Sequence, residues 1–369
     1  MENNALIKYQ GGLIKNVGNA ISVTNKLLAL IEPQLIPYRK GDKWGFCTPD
    51  KKMVIDCVYS QTTNFTNGLA SVKVKGKYGF IDLKGNEKIP CIYDEWNLPQ
   101  KKLIGVKKHG LWGLIDFEGN MVVNNIFSEI GHFFNNMAKV KLNKKYGYIN
   151  ELGEIIIPCI YDNAVPFSNG LAAVKLTEKY GFINAKGEVK IAFQFLGASA
   201  FDSEVGYSGI FDLNNRMGYI NSVGDIKINC QYIYGNDFSC GLAMVVDAKK
   251  RKNGFINKDG LVVIDFVYTQ AESFLENIAG VQVNNKWGFI DKSGKLNSDF
   301  IYDKINQGFN ESLCGVKLNN KWGFINRECK VTIPFIYDYV GIFQNNIAYV
   351  EFNSKYGFIS KSGIQYWED

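Results

Sequence analysis

Four aspartates, Asp94, Asp162, Asp303 and Asp338, each follow a tyrosine within the same local phrase. Glycoside hydrolysis would need two carboxylates a few ångströms apart in one cleft. Here the same carboxylate returns once per stretch of chain, as turn chemistry demands, so a catalytic pair is not expected. Histidine offers nothing more: His109 and His132 lie at non-equivalent places in consecutive stretches and form neither a ligand set nor a base with its orienting partner. The eight cysteines contain no C-x-x-C. Cys57, Cys91, Cys159 and Cys230 share one position, which other copies fill with Phe266, Phe300 or Phe335, so an apolar filler is expected there. Unpaired thiols and the polar start "MENNALIKYQ" place the chain in the reducing cytoplasm. With no phosphate loop, dinucleotide fingerprint, nucleophile elbow or H-E-x-x-H, we expect no enzyme, no metal and no cofactor.

Lysines and aromatics are the other side chains with chemistry to offer. Lys73, Lys107, Lys141 and Lys175 occupy one recurring position, with Lys317 read as one residue out of step and Val246, Gln282 and Glu351 interrupting the series. Stacked in space they would make a basic ridge for a polyanion, or a solvated face whose lysines discourage edge-to-edge pairing. A net charge of +6 over 369 residues is small for a nucleic-acid binder. An aromatic residue also recurs, at Trp44, Tyr78, Trp112, Tyr146, Tyr180, Trp287, Trp322 and Tyr356, with Met217 and Asn253 as exceptions. An exposed ladder of such rings binds sugars, whereas rings locked to a fixed repeat position pack a core. The core reading is the more economical.

What positions these residues is a repeat. Each aromatic precedes a glycine: Gly45, Gly79, Gly113, Gly147, Gly181, Gly218, Gly254, Gly288, Gly323 and Gly357, spaced 34 to 37 residues apart. Such a period marks a solenoid, a propeller or a similar array. "WGFIDKSG" reads as a short strand entering a turn, with Asp291 bonding the backbone and Gly294 free to take positive φ. "EIIIPCIYD" reads as a second strand. Pro90, Pro158 and Pro334 at one position in this segment argue for a sheet edge or a bend. "GLAAVKL" reads as a third strand, preceded in most copies by a phenylalanine such as Phe65, Phe133, Phe167, Phe238, Phe274 or Phe343. One meander of this size cannot bury a core, but stacked neighbours can. The pairs Trp44–Gly45, Tyr78–Gly79, Trp112–Gly113, Tyr146–Gly147, Trp287–Gly288 and Trp322–Gly323 are expected to form the seam between units.

"KWGFI" followed by D/N-x-x-G, I-P-x-x-Y-D and G-L-A-x-V-K resembles the bacterial WG (or KWG) repeat proteins, over residues 41 to 369. The resemblance implies a module joined to varied partners, with no shared activity and no catalytic residues to transfer. We expect an all-β tandem repeat of nine to ten three-stranded antiparallel meanders stacked as an open twisted superhelix, the alternative being a closed propeller-like ring. Residues 1–40 stand outside the period. Leu13, Val17, Ile21, Leu28 and Ile31 fall near one helical stripe, so a short helical segment is expected, capping the array, docking a partner or lying on a membrane surface. The expected function is a non-enzymatic scaffold for another protein within a bacterial multi-protein system. The alternative is a module that holds nucleic acid or glycan through the lysine ridge or exposed aromatics.

Overall fold

The computed structural model describes residues 35–97 and 102–369. The proposed helical stripe from Leu13 to Ile31 lies outside the described residues. Every element among the described residues is a β-strand, and the strands form ten sheets in chain order, nine of four strands and one of three.

Blade 2 is typical. Its first strand is Gln61–Thr62, followed by Leu69–Val74, Lys77–Asp82 and Glu87–Tyr93, all antiparallel neighbours. The expectation of three strands per unit is corrected to four. About 34 residues suffice because the first strand is two residues long and is joined to the preceding fourth strand (Met53–Tyr59) by Ser60 alone. The fourth strand ends the sheet order and alternates exposed and buried residues, and its prolines Pro90, Pro158 and Pro334 are exposed. The first strands of blades 9 and 10 pack on one another, which sets first strands at the narrow inner side and fourth strands on the outer rim.

The open superhelix is likewise corrected: the array closes. The C-terminal strand Trp367–Glu368 takes the first-strand place of blade 1, parallel to Ile36–Lys40, with Arg39 opposite Trp367 and Lys40 opposite Glu368. The chain is a ring of ten blades, a β-propeller. Ile36–Lys40, which a boundary after residue 40 would leave to the N-terminal segment, is a strand of blade 1.

An aromatic pair joins most neighbouring blades. The residue after each anchor glycine meets the aromatic that precedes the next blade's second strand: Phe46–Phe65 at 4.7 Å, Tyr148–Phe167 at 4.8 Å, Phe255–Phe274 at 4.8 Å and Phe324–Phe343 at 4.8 Å between ring centroids. Such pairs add about 0.5–1.5 kcal/mol beyond the area they bury. Where the ring is a tyrosine, its hydroxyl crosses to the next blade. Tyr148 donates to the Val165 carbonyl at 2.7 Å, and Tyr219 to the Asn236 carbonyl at 2.6 Å. In blades 2 to 8 the loop glycine rests on a β-branched residue of the preceding blade, as Gly85 does on Ile55 and Gly153 on Val123.

The two longer units are explained by two loops. In blade 6, Asp202 caps an inserted loop by accepting from the amides of Glu204, Val205 and Tyr207 at 2.9, 2.7 and 2.9 Å. In blade 7, the turn after Leu242–Val246 is held by Asp247, which accepts from the amides of Lys249 and Lys250. Asn253, where other blades carry an aromatic, donates instead to the carbonyls of Tyr268 and Thr269.

Candidate binding surface

One line of residues crosses every blade. In blade 2, Gln61, Lys73, Tyr78 and Tyr93 are successive partners from first to fourth strand. The recurring lysines and the recurring aromatics are therefore neighbours. Lys73 lies 4.6 Å over the Tyr78 ring, Lys107 5.8 Å over Trp112, Lys141 4.7 Å over Tyr146 and Lys175 5.9 Å over Tyr180. Lys317 is opposite Trp322, in step with the others and not one residue out. Arg39 holds the position in blade 1, opposite Trp44, and is buried.

The lysines form an arc over blades 2 to 5, but the arc is partly neutralised. Lys107 pairs with Glu95 at 2.9 Å, and Lys73 donates to Gln61 at 3.4 Å. Glu129 beside Lys141 pairs with Lys139 at 3.1 Å and accepts from Tyr146 at 2.9 Å. Blades 6, 7, 8 and 10 place Phe211, Val246, Gln282 and Glu351 in the same line. A polyanion following the ring would meet cations along only part of it.

The aromatic and the glycine of each seam pair do different work. Trp287 is buried in a cluster that includes Phe309 and Val316 of the next blade, and Trp322 in one with Val340 and Phe343. Tyr146 and Trp112 pack at the edges of the clusters shared with blades 5 and 4, and Trp44 meets Phe358 of blade 10 at 5.9 Å. The glycines, in contrast, are joints inside a blade. The fourth strand bends across them, so a Cβ on Gly147 would lie 2.5 Å from the Ile157 carbonyl oxygen and 2.8 Å from Cys159 Sγ. Gly45, Gly79, Gly113 and Gly323 face the same strand backbone, and Gly288 faces it together with Phe300. The shared cysteine position is thus a small or flat filler beside this crossing. Burial pushes the thiols of Cys57, Cys91, Cys159 and Cys230 up, and all eight cysteines are unpaired.

The repeated aspartates are inter-blade clamps. Asp94 accepts from Lys77 of its own blade and from the backbone amide of His109 in the next blade's turn, the latter at 2.9 Å. Asp162 joins Lys145 at 2.5 Å to the Thr177 amide at 3.1 Å. Asp303 with Lys286 and Asp338 with Lys321 repeat the arrangement at 2.5 Å each. The lysine hydrogen bond holds each of these carboxyls below its ordinary value. His109 and His132 stay apart on a turn of blade 3 and the first strand of blade 4, and among the described residues no group of three or more His, Cys, Asp or Glu could hold a metal.

The surface that the sequence reading missed is the row of first strands. Its first position carries Gln61, Glu95, Glu129, Asn163, Gly197, Tyr234, Gln270, Lys304 and Tyr339 in blades 2 to 10. Most are exposed, and Tyr234 and Tyr339 are 50% and 45% exposed. The residue after this position is buried in several blades, at Ala164, Ala271 and Val340 among others. A two-residue strand has no alternation to read, but the connector aspartates mark where it starts.

Two recesses open along this inner surface on opposite sides of the ring. One, of about 700 Å³, is lined from blades 5 to 8 by Tyr180, Phe211, Tyr234 and Asp237 among others. Asp237 accepts from Ser199 of blade 6 at 3.3 Å, and Asn236 donates to Ser273 of blade 8 at 3.0 Å. The Asp237 carboxylate is open to the recess but surrounded by the ring wall, and that desolvation pushes its pKa up, as does Asp202 nearby. The other recess, of about 460 Å³, is lined from blades 10, 1, 2 and 3.

A comparison with curated proteins finds no match in sequence. Among solved structures, the crystal structure of the eukaryotic initiation factor is similar at 9% identity, over 90% of this chain and 95% of that one, with a TM-score of 0.53. The crystal structure of BamB from Moraxella catarrhalis is similar at 9% identity, over 84% of this chain and 96% of that one, with a TM-score of 0.44. The first likeness bears on fold alone. In sequence, the family described as WG containing repeat matches nine consecutive segments, from 44–78 to 322–356, meeting at or near the anchor positions. The chain belongs to the WG-containing repeat family.

Proposed function

We propose that this ring is a non-enzymatic scaffold that binds another protein through its inner, first-strand surface, as a component of a bacterial multi-protein system in the cytoplasm. One observation carries the reading. The polar groups that recur from blade to blade are largely taken up in holding the ring, the clamp aspartates by lysines and turn amides and the loop Asx residues by their own turns, as Asp82 is by the amides of Lys84 and Asn86. The residues that change from blade to blade sit at one repeated, mostly exposed inner position. A rigid frame that presents different side chains at equal intervals suits recognition of an extended surface, with exposed tyrosines as its anchors. Eight unpaired cysteines support the reducing compartment.

The test is co-purification of the full chain from its native host, with and without Tyr234→Ala plus Tyr339→Ala. The expected result is a stoichiometric protein partner held by the parent ring and lost by the double variant, whose melting temperature is unchanged. Recovery of the ring alone, or a partner held equally by both, would overturn the reading.

A further inference from the structure

The recess at the closure of the ring has a chemistry that the scaffold reading does not use. Among the described residues, no charged side chain lines it. Its walls are rings: Trp44 of blade 1, Tyr78 of blade 2, Trp96 of blade 3, and Tyr349, Tyr356 and Phe358 of blade 10. Tyr349 and Tyr356 stack at 5.3 Å with 19° between their planes, and Tyr356 is 47% exposed.

The polar groups between these rings are neutral and several have spare capacity. Among the described residues, the indole N–H groups of Trp44 and Trp96 and the hydroxyls of Tyr349 and Tyr356 have no hydrogen-bond partner. Gln61 accepts from Tyr78 at 2.8 Å through its carbonyl oxygen and keeps its amide NH₂ free. Thr63 and Ser71 share a hydroxyl–hydroxyl hydrogen bond at 3.1 Å and Thr63 Oγ1 also accepts from the Ser71 amide at 3.3 Å, which leaves acceptor capacity on the Ser71 hydroxyl. Lys73, beside the recess, is taken up by Gln61 and the Tyr78 ring.

Flat aromatic faces set among neutral donors and acceptors fit a ligand with an apolar face and a polar rim. An anion would find no cation in this lining, and a cation no carboxylate. The volume is that of a small-molecule site. We propose that this recess binds a neutral saccharide, its C–H face against Tyr356 and Trp96 and its hydroxyls on the free indole, phenol and amide groups. Because the walls come from both ends of the chain, the site exists only in the closed ring, and ligand binding adds stability to that state.

The full chain is titrated with glucose, galactose, mannose, N-acetylglucosamine, maltose, cellobiose and lactose, with glucuronate and glucosamine as charged controls. Tryptophan emission and the melting temperature are followed together. At least one neutral sugar is expected to shift the emission saturably and raise the melting temperature, with the charged analogues weaker. Tyr356→Ala and Trp96→Phe should each weaken binding about tenfold or more, while Tyr234→Ala across the ring changes nothing. Should the alanine variant fail to fold, Tyr356→Phe keeps the ring, removes the free hydroxyl and must still weaken binding. Absence of saturable binding by every neutral sugar, equal binding of a charged analogue, or affinity that survives the Tyr356 and Trp96 changes would overturn the proposal. Loss of the protein partner in the Tyr234 and Tyr339 variant bears on the scaffold reading alone.

Discussion

The junctions along the chain and the single junction that closes the ring are built differently. Along the chain, one residue links a fourth strand to the next first strand, an aromatic pair fills the gap, and at four junctions a lysine–aspartate clamp reaches the next turn. At the closure there is no covalent link, and stronger groups gather. Arg39, 4% exposed, donates to the Tyr356 carbonyl at 2.6 Å and pairs with Asp369 at 2.9 Å, which Lys355 also reaches at 3.3 Å. Asp369 thus does at the closure what Asp94 and its counterparts do elsewhere. Tyr366 is buried beside Ile36, Cys47 and Ile347. The comparison teaches that proximity along the chain lets ordinary junctions rely on packing and exposed ion pairs, while the closure needs a buried charge and strand pairing.

Removing residues 366–369 is the largest test of that contrast. It deletes a fully buried tyrosine, a strand and the partner of a buried guanidinium, so a loss of about 5 kcal/mol or more is expected. Urea unfolding read together with amide exchange in blades 1 and 10 checks it. An unchanged midpoint would mean the ring holds without its closure. Gly147→Val breaks a blade from within: its Cβ would collide with backbone at Ile157, and we expect a loss of about 3 kcal/mol with the closure intact. Arg39→Met should cost about 2–4 kcal/mol, since the Tyr356 carbonyl and Asp369 lose their shared donor. A melting curve no lower than that of Lys77→Met, its exposed counterpart at an ordinary junction, would mean that the two kinds of junction do not differ.

How much of this was legible follows from the same contrast. The second, third and fourth strands announce themselves through "GLAAVKL", "KYGFIN" and "EIIIPCIYD", because their alternation is long enough to read. The first strand, two residues long in blades 2, 3 and 5 to 8, carries no period there. The clamp had a signal that went unread: Lys77, Lys145, Lys286 and Lys321 each stand seventeen residues before an aspartate. The closure had almost none. Asp369 does not share the seventeen-residue spacing from Lys355, and only the summed rotation of ten blades brings it to Arg39. Curvature of that kind is a property of the array and not of any unit.

Tyr148→Phe probes an ordinary junction at its most polar point. The Val165 carbonyl would lose its donor from the preceding blade, a cost of about 1 kcal/mol. Phe255, at the equivalent place in blade 7, packs on Phe274 without any hydroxyl, so the ring geometry tolerates the change. A drop as large as that of Arg39→Met would mean that ordinary junctions too depend on buried polar bonds.

Acid separates the clamps from the packing with the smallest effect. The carboxyls of Asp94, Asp162, Asp303 and Asp338 are held below their ordinary value of 3.8, first by the lysine hydrogen bond and then by backbone amides. A carboxyl whose pKa is lower folded than unfolded contributes stability that is complete above the unfolded value and disappears as pH falls through the folded one. The contribution is therefore full at neutral pH and is lost below about pH 4. Changing all four to asparagine should lower the urea midpoint modestly at pH 7 and flatten its fall between about pH 5 and pH 3. Asp369, lowered first by Arg39, remains in that variant and keeps part of the acid sensitivity at the closure. Parallel profiles for parent and variant would show that the ordinary junctions stand on packing alone, and that titratable contacts matter only where the chain ends meet.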